Sequence, residues 1–341
     1  MVTATTRQYQ AVEKGGPFTF ASIPKPAPGP HEVSIRLKAV ALNPLDWKKL
    51  YFGFMIENWP TVLGIDGAGV VENVGEGVTS LKAGDEVFSL FGHESRSASF
   101  QEVAVVPEFF VAKKPKSWTF EEAASLPICY CTAGAAIYSA LNIPLPFLAE
   151  GATTGAQPKS VLVLGGSSGV GAAAIQILRL ALPSAVILAT SSPKHHAHLI
   201  SLGATKGFDQ KSSSLIHDIK SATPNAKGVD VIVDTVAAGA SMKEIYDTLS
   251  EDGPREVGEV MAQPPAAVPE GVKRTMAFGR QLFERPGGKS AMSTLAAMIE
   301  EDKYKLPIRV ENVGSSFEAI PKGLERLKGG VSGTKLVVTV Q

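Results

Sequence analysis

The chain has few cysteines, no excess charge of either sign and no long apolar run. Its 341 residues include only Cys129 and Cys131, whose spacing fits neither a disulfide framework nor a redox Cys-x-x-Cys pair. The 33 Lys and Arg balance 33 Asp and Glu without like-charge blocks, which disfavours nucleic acid and membrane partners. The most apolar stretch, 172–182, is interrupted by Gln176 and Arg179, and the polar start at 1–10 lacks a signal-peptide core. We therefore expect a cytosolic protein with reduced, packed cysteines.

Glycine, proline and apolar residues are abundant instead. The 33 Gly, 23 Pro and 44% apolar residues predict a globular chain of many short elements, long enough for two domains. Residues 33–39 alternate apolar and polar side chains, the period of a half-buried strand. Further strands are predicted at 67–74, 85–90 and 101–106. Short strands separated by turns favour an antiparallel barrel over residues 1–128.

From residue 129 the pattern changes to alternating helices and strands. Strand 160–164, helix 169–181 and strand 185–190 begin this alternation, which is typical of a doubly wound parallel sheet. We assign residues 129–301 to this second domain. The last strand, 335–340, alternates again and is predicted to return to the barrel, so that residues 302–341 complete the first domain.

A glycine-rich turn joins the first strand of the second domain to its first helix. It reads Gly165-Gly166-Ser167-Ser168-Gly169-Val170-Gly171. The free N–H groups and the dipole of a helix N-terminus favour an anion there, and glycine lets a pyrophosphate approach the backbone. The spacing departs from G-x-G-x-x-G, and a tight turn kept small for packing is the alternative interpretation.

The end of the next strand bears on which dinucleotide binds. Enzymes that use NAD place an Asp or Glu there for the ribose 2′-hydroxyl, whereas this chain has Ser191, Ser192, Pro193, Lys194 and His195. Two hydroxyls, a helix N-terminus and a cation suit a 2′-phosphate, which a carboxylate would repel. We expect NADPH. The alternative is that Ser192 caps the helix while Lys194 and His195 are solvated.

Four motifs together resemble one superfamily. They are 43–48 (Asn-Pro-Leu-Asp-Trp-Lys), 63–71, 126–133 and 332–338. This combination is similar to the zinc-free medium-chain dehydrogenase/reductases, and most to fungal trans-acting enoyl reductases of the lovastatin type and to quinone oxidoreductase-like proteins. The resemblance runs from about residue 8 to the end.

The same resemblance bears on metal binding. Zinc-dependent relatives have Gly-His-Glu where this chain has Gly64-Ile65-Asp66, and they carry a four-cysteine structural zinc lobe. With neither feature present, no metal site is predicted. His93-Glu94 follows a different strand and is interpreted as a surface loop.

The resemblance implies a fold and an activity. The fold is α/β, with a GroES-like β-barrel catalytic domain and a Rossmann doubly wound parallel sheet. The activity is NADPH-dependent transfer of hydride to the β-carbon of an α,β-unsaturated carbonyl, an enone or enoyl thioester, without zinc. The implied cofactor contacts are Leu45, Asp46, Trp47, Lys48, Thr132, Ser167, Ser168, Gly169, Val170, Ser191, Ser192, Lys194, His195, Gln210, Val236, Ser332 and Gly333.

Three residues are candidates for the chemistry. Hydride addition builds negative charge on the carbonyl oxygen, so the reaction needs hydrogen-bond donors there and a proton source. Lys48 and Thr132 are the leading candidates, with a solvated lysine as the alternative interpretation of Lys48. Tyr51 is a further proton-donor candidate, although its neighbours Phe52 and Phe54 favour a packing role.

Other functions stay open at this stage. Quinone reduction is the nearest alternative, because Gly169-Val170-Gly171 is closer to quinone reductases than to lovastatin-type enzymes. A non-catalytic NADPH-binding subunit of a synthase is a different class of answer. The substrate is a small molecule or is carrier-bound, a polyketide synthase is a possible partner, and the protein is expected to be a monomer or a homodimer.

Overall fold

The computed structural model describes residues 4–150, 154–260 and 267–340, which divide into two compact units. The first comprises Met1–Pro127 with Leu295–Gln341, and the second comprises Ile128–Thr294. The discontinuous first domain expected from the sequence therefore has a counterpart here. Its second boundary falls at Leu295 instead of residue 302.

The first unit is organised around one long central strand, β3 (Glu32–Ala41). This strand pairs antiparallel with β5 (Asp66–Val74), β7 (Val103–Pro107) and β16 (Thr334–Thr339). The C-terminal strand β16 therefore returns to the first unit, as predicted. Ala41, at the end of β3, lies opposite Asp66 on β5 and opposite Val337 on β16. The other strands of this unit are β1 (Thr5–Ala11), β2 (Phe18–Pro24), β4 (Thr61–Val62), β5 (Asp66–Val74), β6 (Glu86–Leu90), β7 (Val103–Pro107), β8 (Val111–Lys113), β15 (Arg309–Asn312) and β16 (Thr334–Thr339).

Apolar residues on alternate positions of these strands form the core of the first unit. Val33, Ile35 and Leu37 are buried, which explains the alternation seen in the sequence. Three helices complete the unit: α1 (Pro44–Phe52), α2 (Phe120–Ala124) and α8 (Ile320–Lys328).

The second unit contains a six-stranded sheet whose neighbouring strands are all parallel. The spatial order is β11-β10-β9-β12-β13-β14, so the chain starts in the middle and winds outward in both directions. The predicted Rossmann sheet is thus confirmed. Its strands are β9 (Ser160–Leu164), β10 (Val186–Ser191), β11 (Lys206–Asp209), β12 (Val231–Asp234), β13 (Glu256–Val260) and β14 (Lys273–Ala277), and its helices are α4 (Gly169–Ala181), α5 (His196–Ser201) and α6 (Leu215–Ser221).

Two helices adjoin the division between the units. Helix α3 (Pro127–Gly134) continues as a π-helical stretch, Ala135–Ala140. Helix α7 (Ala291–Glu300) contains the second boundary. The stretch Phe120–Ala140 is long and apolar enough to cross a membrane, yet 89% of its 18-residue apolar window is buried, as in the core helix of a globular protein. Cys129 and Cys131 are buried, and neither forms a disulfide.

Candidate functional site

The glycine-rich turn lies between β9 and the N-terminus of α4. Gly165 adopts φ +74°, a left-handed conformation that favours glycine. A Cβ on Gly171 would overlap the carbonyl oxygen of Gly165, so the strand and the helix approach closely only because residue 171 lacks a side chain. The sequence motif therefore serves both packing and an open helix N-terminus.

Ser168 arranges the hydrogen-bond donors of that helix end. Its hydroxyl accepts from the N–H of Gly171 at 2.9 Å, and its carbonyl accepts from the N–H of Ala172. Helix geometry leaves the preceding N–H groups, those of Gly169 and Val170, without intrahelical acceptors. These donors, beside the half-buried Ser167, suit a pyrophosphate.

A second loop of the same unit closes over the turn. Thr235, just after β12, donates its hydroxyl to the carbonyl of Leu164 at 2.8 Å and lies 2.9 Å from the Ser168 hydroxyl. The next residue, Val236, is an exposed apolar side chain in the space that a Cβ on Gly165 would enter. The structure thus brings Val236 and the glycine turn together.

The Ser191–His195 turn carries positive charge at the end of β10. Burial, together with neighbouring Lys194, His198 and His196, lowers the pKa of His195. Lys194 is exposed, and no hydrogen bond or ion pair of its ammonium occurs within the described residues. Ser192 precedes the helical turn Pro193–His195 without a side-chain cap, so the alternative interpretation, in which its hydroxyl caps the helix, is not observed.

The remaining predicted residues of the second unit lie at different depths. Gln210 is exposed, and its N–H lies 3.4 Å from the carbonyl of Ser191, beside the phosphate-binding candidates. Thr132 is buried in α3, where a Cβ on Gly279 would lie 2.9 Å from its hydroxyl oxygen. The π-helical stretch begins three residues after Thr132, at Ala135, and such a distortion is frequent at functional sites.

In the first unit, helix α1 presents the predicted nicotinamide-facing residues. Leu45, Trp47 and Lys48 are half-buried. Burial lowers the pKa of Lys48, so this residue is not the fully solvated lysine of the alternative interpretation. Tyr51 packs against the core, and the Lys328 ammonium lies 4.2 Å from the centre of its ring. These contacts favour the packing role for Tyr51.

Asp46 differs from its neighbours on α1 because its side chain is completely buried. One carboxylate oxygen accepts from the N–H of Asn43 at 2.8 Å and holds the start of the helix, while the other has no hydrogen-bond partner within the described residues. Burial raises the pKa of Asp46 to about 7, against the opposing effect of the Asn43 N–H and Lys49. The carboxylate therefore stabilises the first turn of α1, and its predicted cofactor contact stays a prediction.

A buried polar cluster lies beside Asp46 and joins three distant segments. Lys335 on β16 donates to the Asn43 side-chain oxygen at 2.5 Å and to the Asp66 carboxylate at 3.1 Å. Asn43 donates to the same Asp66 oxygen at 3.0 Å, and Asp66 is fully buried. We call these three residues the Asn43–Asp66–Lys335 network. The predicted cofactor residues Ser332 and Gly333 precede Lys335 by two or three positions.

His93 extends the charged surroundings of α1. It is half-buried, and its Nδ1 lies 3.1 Å from the ammonium of Lys49, which is itself buried. The surface-loop prediction is therefore wrong for His93, whereas its neighbour Glu94 is exposed.

No local pattern predicts the roles of Asn43, Asp66 and Lys335. Asn43 and Asp66 belong to motifs that carry the family resemblance, but Lys335 is 292 positions from Asn43 and reads as an ordinary strand residue. A buried position on a strand, occupied by lysine, is the only indication, because lysine is almost never fully buried unless paired.

Comparison with known proteins places both units in one class. The description "Alcohol dehydrogenase GroES-like domain" matches residues 29–116, and "Zinc-binding dehydrogenase" matches residues 169–269. A putative zinc-dependent alcohol dehydrogenase from Rhizobium etli is 25% identical with a TM-score of 0.80, covering 99% of this chain and 98% of its own. The CurK enoyl reductase is 24% identical with a TM-score of 0.77, covering 99% and 100%, and shares the fold.

Sequence relatives specify the class further. The trans-enoyl reductase tndF of Aspergillus flavipes is 31% identical, with 98% of this chain and 99% of the relative covered. ACTTS2 of Alternaria alternata, also named a trans-enoyl reductase, is 31% identical with the same coverage. The chain therefore belongs to the medium-chain dehydrogenase/reductase superfamily and, within it, to the family of these trans-enoyl reductases. It is an oxidoreductase of a family that binds a nicotinamide cofactor.

Proposed function

We propose that this protein is an NADPH-dependent enoyl reductase that reduces the C=C bond of an α,β-unsaturated carbonyl without zinc. The observation that carries the proposal is the Asn43–Asp66–Lys335 network. At the segment where zinc-dependent relatives have a histidine ligand, the protein instead has a buried carboxylate neutralised by a lysine. Reduction of a polarised C=C bond fits a hydride-transfer site without a Lewis acid.

The side chains at this segment support the absence of a metal ion. Ile65 stands at the position of the missing histidine, and its buried hydrocarbon side chain offers no ligand atom. In the part of the chain that the structure describes, no group of three or more His, Cys, Asp or Glu residues is arranged to hold a metal ion. The likeness to proteins called zinc-dependent is therefore a likeness of fold.

The second unit fits a phosphorylated dinucleotide. The N–H groups at the start of α4 suit the pyrophosphate, and the turn after β10 offers hydroxyls and Lys194 to a 2′-phosphate. A carboxylate does lie on the neighbouring strand, where Asp209 stands opposite Ser191. It accepts a hydrogen bond from its own loop, from the N–H of Lys211 at 3.0 Å. We propose NADPH as the cofactor on the basis of this donor set.

The cofactor supplies hydride, and the protein supplies donors and orientation. Lys48, half-buried on α1, is the proposed donor to the carbonyl oxygen on which negative charge develops. Partial burial strengthens such a contact because less water competes for it. Thr132 is proposed to orient the reacting groups through its hydroxyl, and its packing against Gly279 fixes where that hydroxyl lies.

The names of the relatives support a proposal for the substrate carrier. Several of them are named trans-enoyl reductases. Together with the resemblance to enzymes of fungal polyketide pathways, this supports an enoyl thioester carried by a separate polyketide synthase. We propose that the protein acts on such a thioester in trans.

The test compares three substrate classes with the purified protein and NADPH. Crotonyl thioesters, simple enals and quinones are each followed through the absorbance of the reduced nicotinamide. Turnover is expected to be fastest with the thioester, with product saturated at the α and β carbons. Preferred turnover of quinones would favour a quinone oxidoreductase, and NADPH binding without turnover of any class would indicate a non-catalytic subunit.

A further inference from the structure

The Asn43–Asp66–Lys335 network joins two of the segments assigned to the cofactor. Asn43 immediately precedes α1, which carries Leu45 to Lys48. Lys335 follows Ser332 by three positions and Gly333 by two. All belong to the first unit. We propose that Lys335 is a positioning residue that fixes the start of α1 relative to the 332–333 loop, an inference that rests on the proposed function.

The geometry of Lys335 supports a positioning role. Its ammonium bonds both Asn43 and Asp66, and its side chain is only 7% exposed. One oxygen of Asp66 receives the ammonium and the Asn43 amide together. A displacement of Lys335 would therefore change the hydrogen bonds of the residue that starts α1.

The backbone brings these groups together at one end of β3. Ala41 pairs with Asp66 on β5 and with Val337 on β16, so both neighbouring strands are in register there. Asn43 follows two residues later and donates to the carbonyl of Ala41 at 3.3 Å. The network thus adds a side-chain link at the point where the chain leaves the sheet and enters α1.

Charge balance shows why the lysine cannot be replaced by an apolar residue without effect. Asp46 and Asp66 are buried carboxylates, and the buried ammonium groups facing them come from Lys49 and Lys335. Removing one partner of a buried ion pair leaves the other charge uncompensated, which costs more than the pair contributes. The start of α1 would then rearrange to bring water to Asp66.

A set of matched variants tests the proposal. Lys335→Met removes the ammonium and keeps the length of the side chain, Asp66→Asn removes the opposing charge, and the double variant removes both. Lys303→Met is the matched control, because Lys303 is exposed and pairs only across the surface with Glu301 at 2.7 Å. If Lys335→Met fails to fold, Lys335→Gln, which retains a hydrogen-bond donor, takes its place.

Four quantities are measured for each variant: the Kd for NADPH by fluorescence titration, kcat and KM with a crotonyl thioester, and the melting temperature without cofactor. We expect Lys335→Met to raise the NADPH Kd at least about tenfold and to lower kcat. The Kd and kcat of the double variant should be no worse than those of the worse single variant, because both changes act on one network. Lys335→Arg, which retains a cation, is expected to recover part of the binding.

Two results would overturn the inference. One is a folded Lys335→Met variant whose melting temperature falls while its NADPH Kd and kcat equal those of the control. The other is a double variant in which the two effects multiply. The NADPH Kd needs no substrate, so a wild-type protein that binds NADPH but reduces no thioester would refute the proposed function without refuting this inference.

Discussion

The glycine turn and the Asn43–Asp66–Lys335 network differ in how the chain encodes them. The turn is one contiguous segment, 165–171, whose backbone shape follows from glycine at two crowded or left-handed positions. The network is assembled from three segments up to 292 positions apart and depends on buried charge. Backbone geometry can therefore be predicted from a short motif, whereas the partner of a buried charge can be identified only from the fold.

The largest expected effect concerns the buried charge beside the network. Asp46→Asn keeps an oxygen for the Asn43 N–H and removes a carboxyl group whose pKa burial raises to about 7. Between about pH 4 and 7 the folded protein binds more protons at Asp46 than the unfolded chain, so the wild-type free energy of unfolding falls as pH rises. The penalty is complete above about pH 7 and amounts to at most about 4 kcal/mol.

Urea unfolding of both proteins from pH 4 to 8 measures this effect. The stability of Asp46→Asn relative to wild type should rise with pH up to about 7 and then level off. A difference that stays constant across this range would show that Asp46 does not titrate there.

The glycine turn can be broken through packing alone. In Gly171→Ala the added Cβ overlaps the carbonyl oxygen of Gly165, a backbone atom that cannot move aside cheaply. We expect a loss of about 1–3 kcal/mol in stability and loss of NADPH binding, measured by urea unfolding and fluorescence titration. Gly329→Ala is the control, because the nearest atom, the carbonyl oxygen of Arg326, would lie 3.4 Å from the new Cβ. Undiminished NADPH binding by Gly171→Ala would separate the turn from the cofactor.

The smallest expected effect sharpens the choice between NADPH and NADH. Lys194→Ala removes an exposed ammonium from the turn after β10. The Kd for NADPH should rise about fivefold to tenfold while the Kd for NADH stays unchanged, because only NADPH carries the 2′-phosphate. Lys227→Ala, which breaks an exposed ion pair with Asp252, serves as the control. Equal changes for both cofactors would place Lys194 elsewhere than at the 2′-phosphate.

The same contrast explains how much could be predicted from the sequence. Strand 160–164 and helix 169–181 are confirmed to the residue, because local patterns and glycines determine them. The return of β16 to β3 was also predicted from alternation. The π-helical stretch after Thr132 was not, since it depends on packing against residues far along the chain.

Side-chain partners were predicted less well than backbone elements. His93 was interpreted as part of a surface loop, and only the fold reveals that Lys49 is buried beside it. The cofactor contact of Asp46, expected from its motif, stays a prediction, and only the fold reveals that its carboxylate accepts from the N–H of Asn43. Local sequence specifies which residue types are present but not which distant charge compensates them.

Reduction without zinc is tested most directly by measuring metal content and activity on one preparation. Zinc is quantified in the purified protein, and NADPH-dependent reduction of a crotonyl thioester is measured before and after treatment with a chelator. We expect turnover with far less than stoichiometric zinc and no effect of the chelator on that turnover. Stoichiometric zinc whose removal abolishes turnover and whose return restores it would contradict the account.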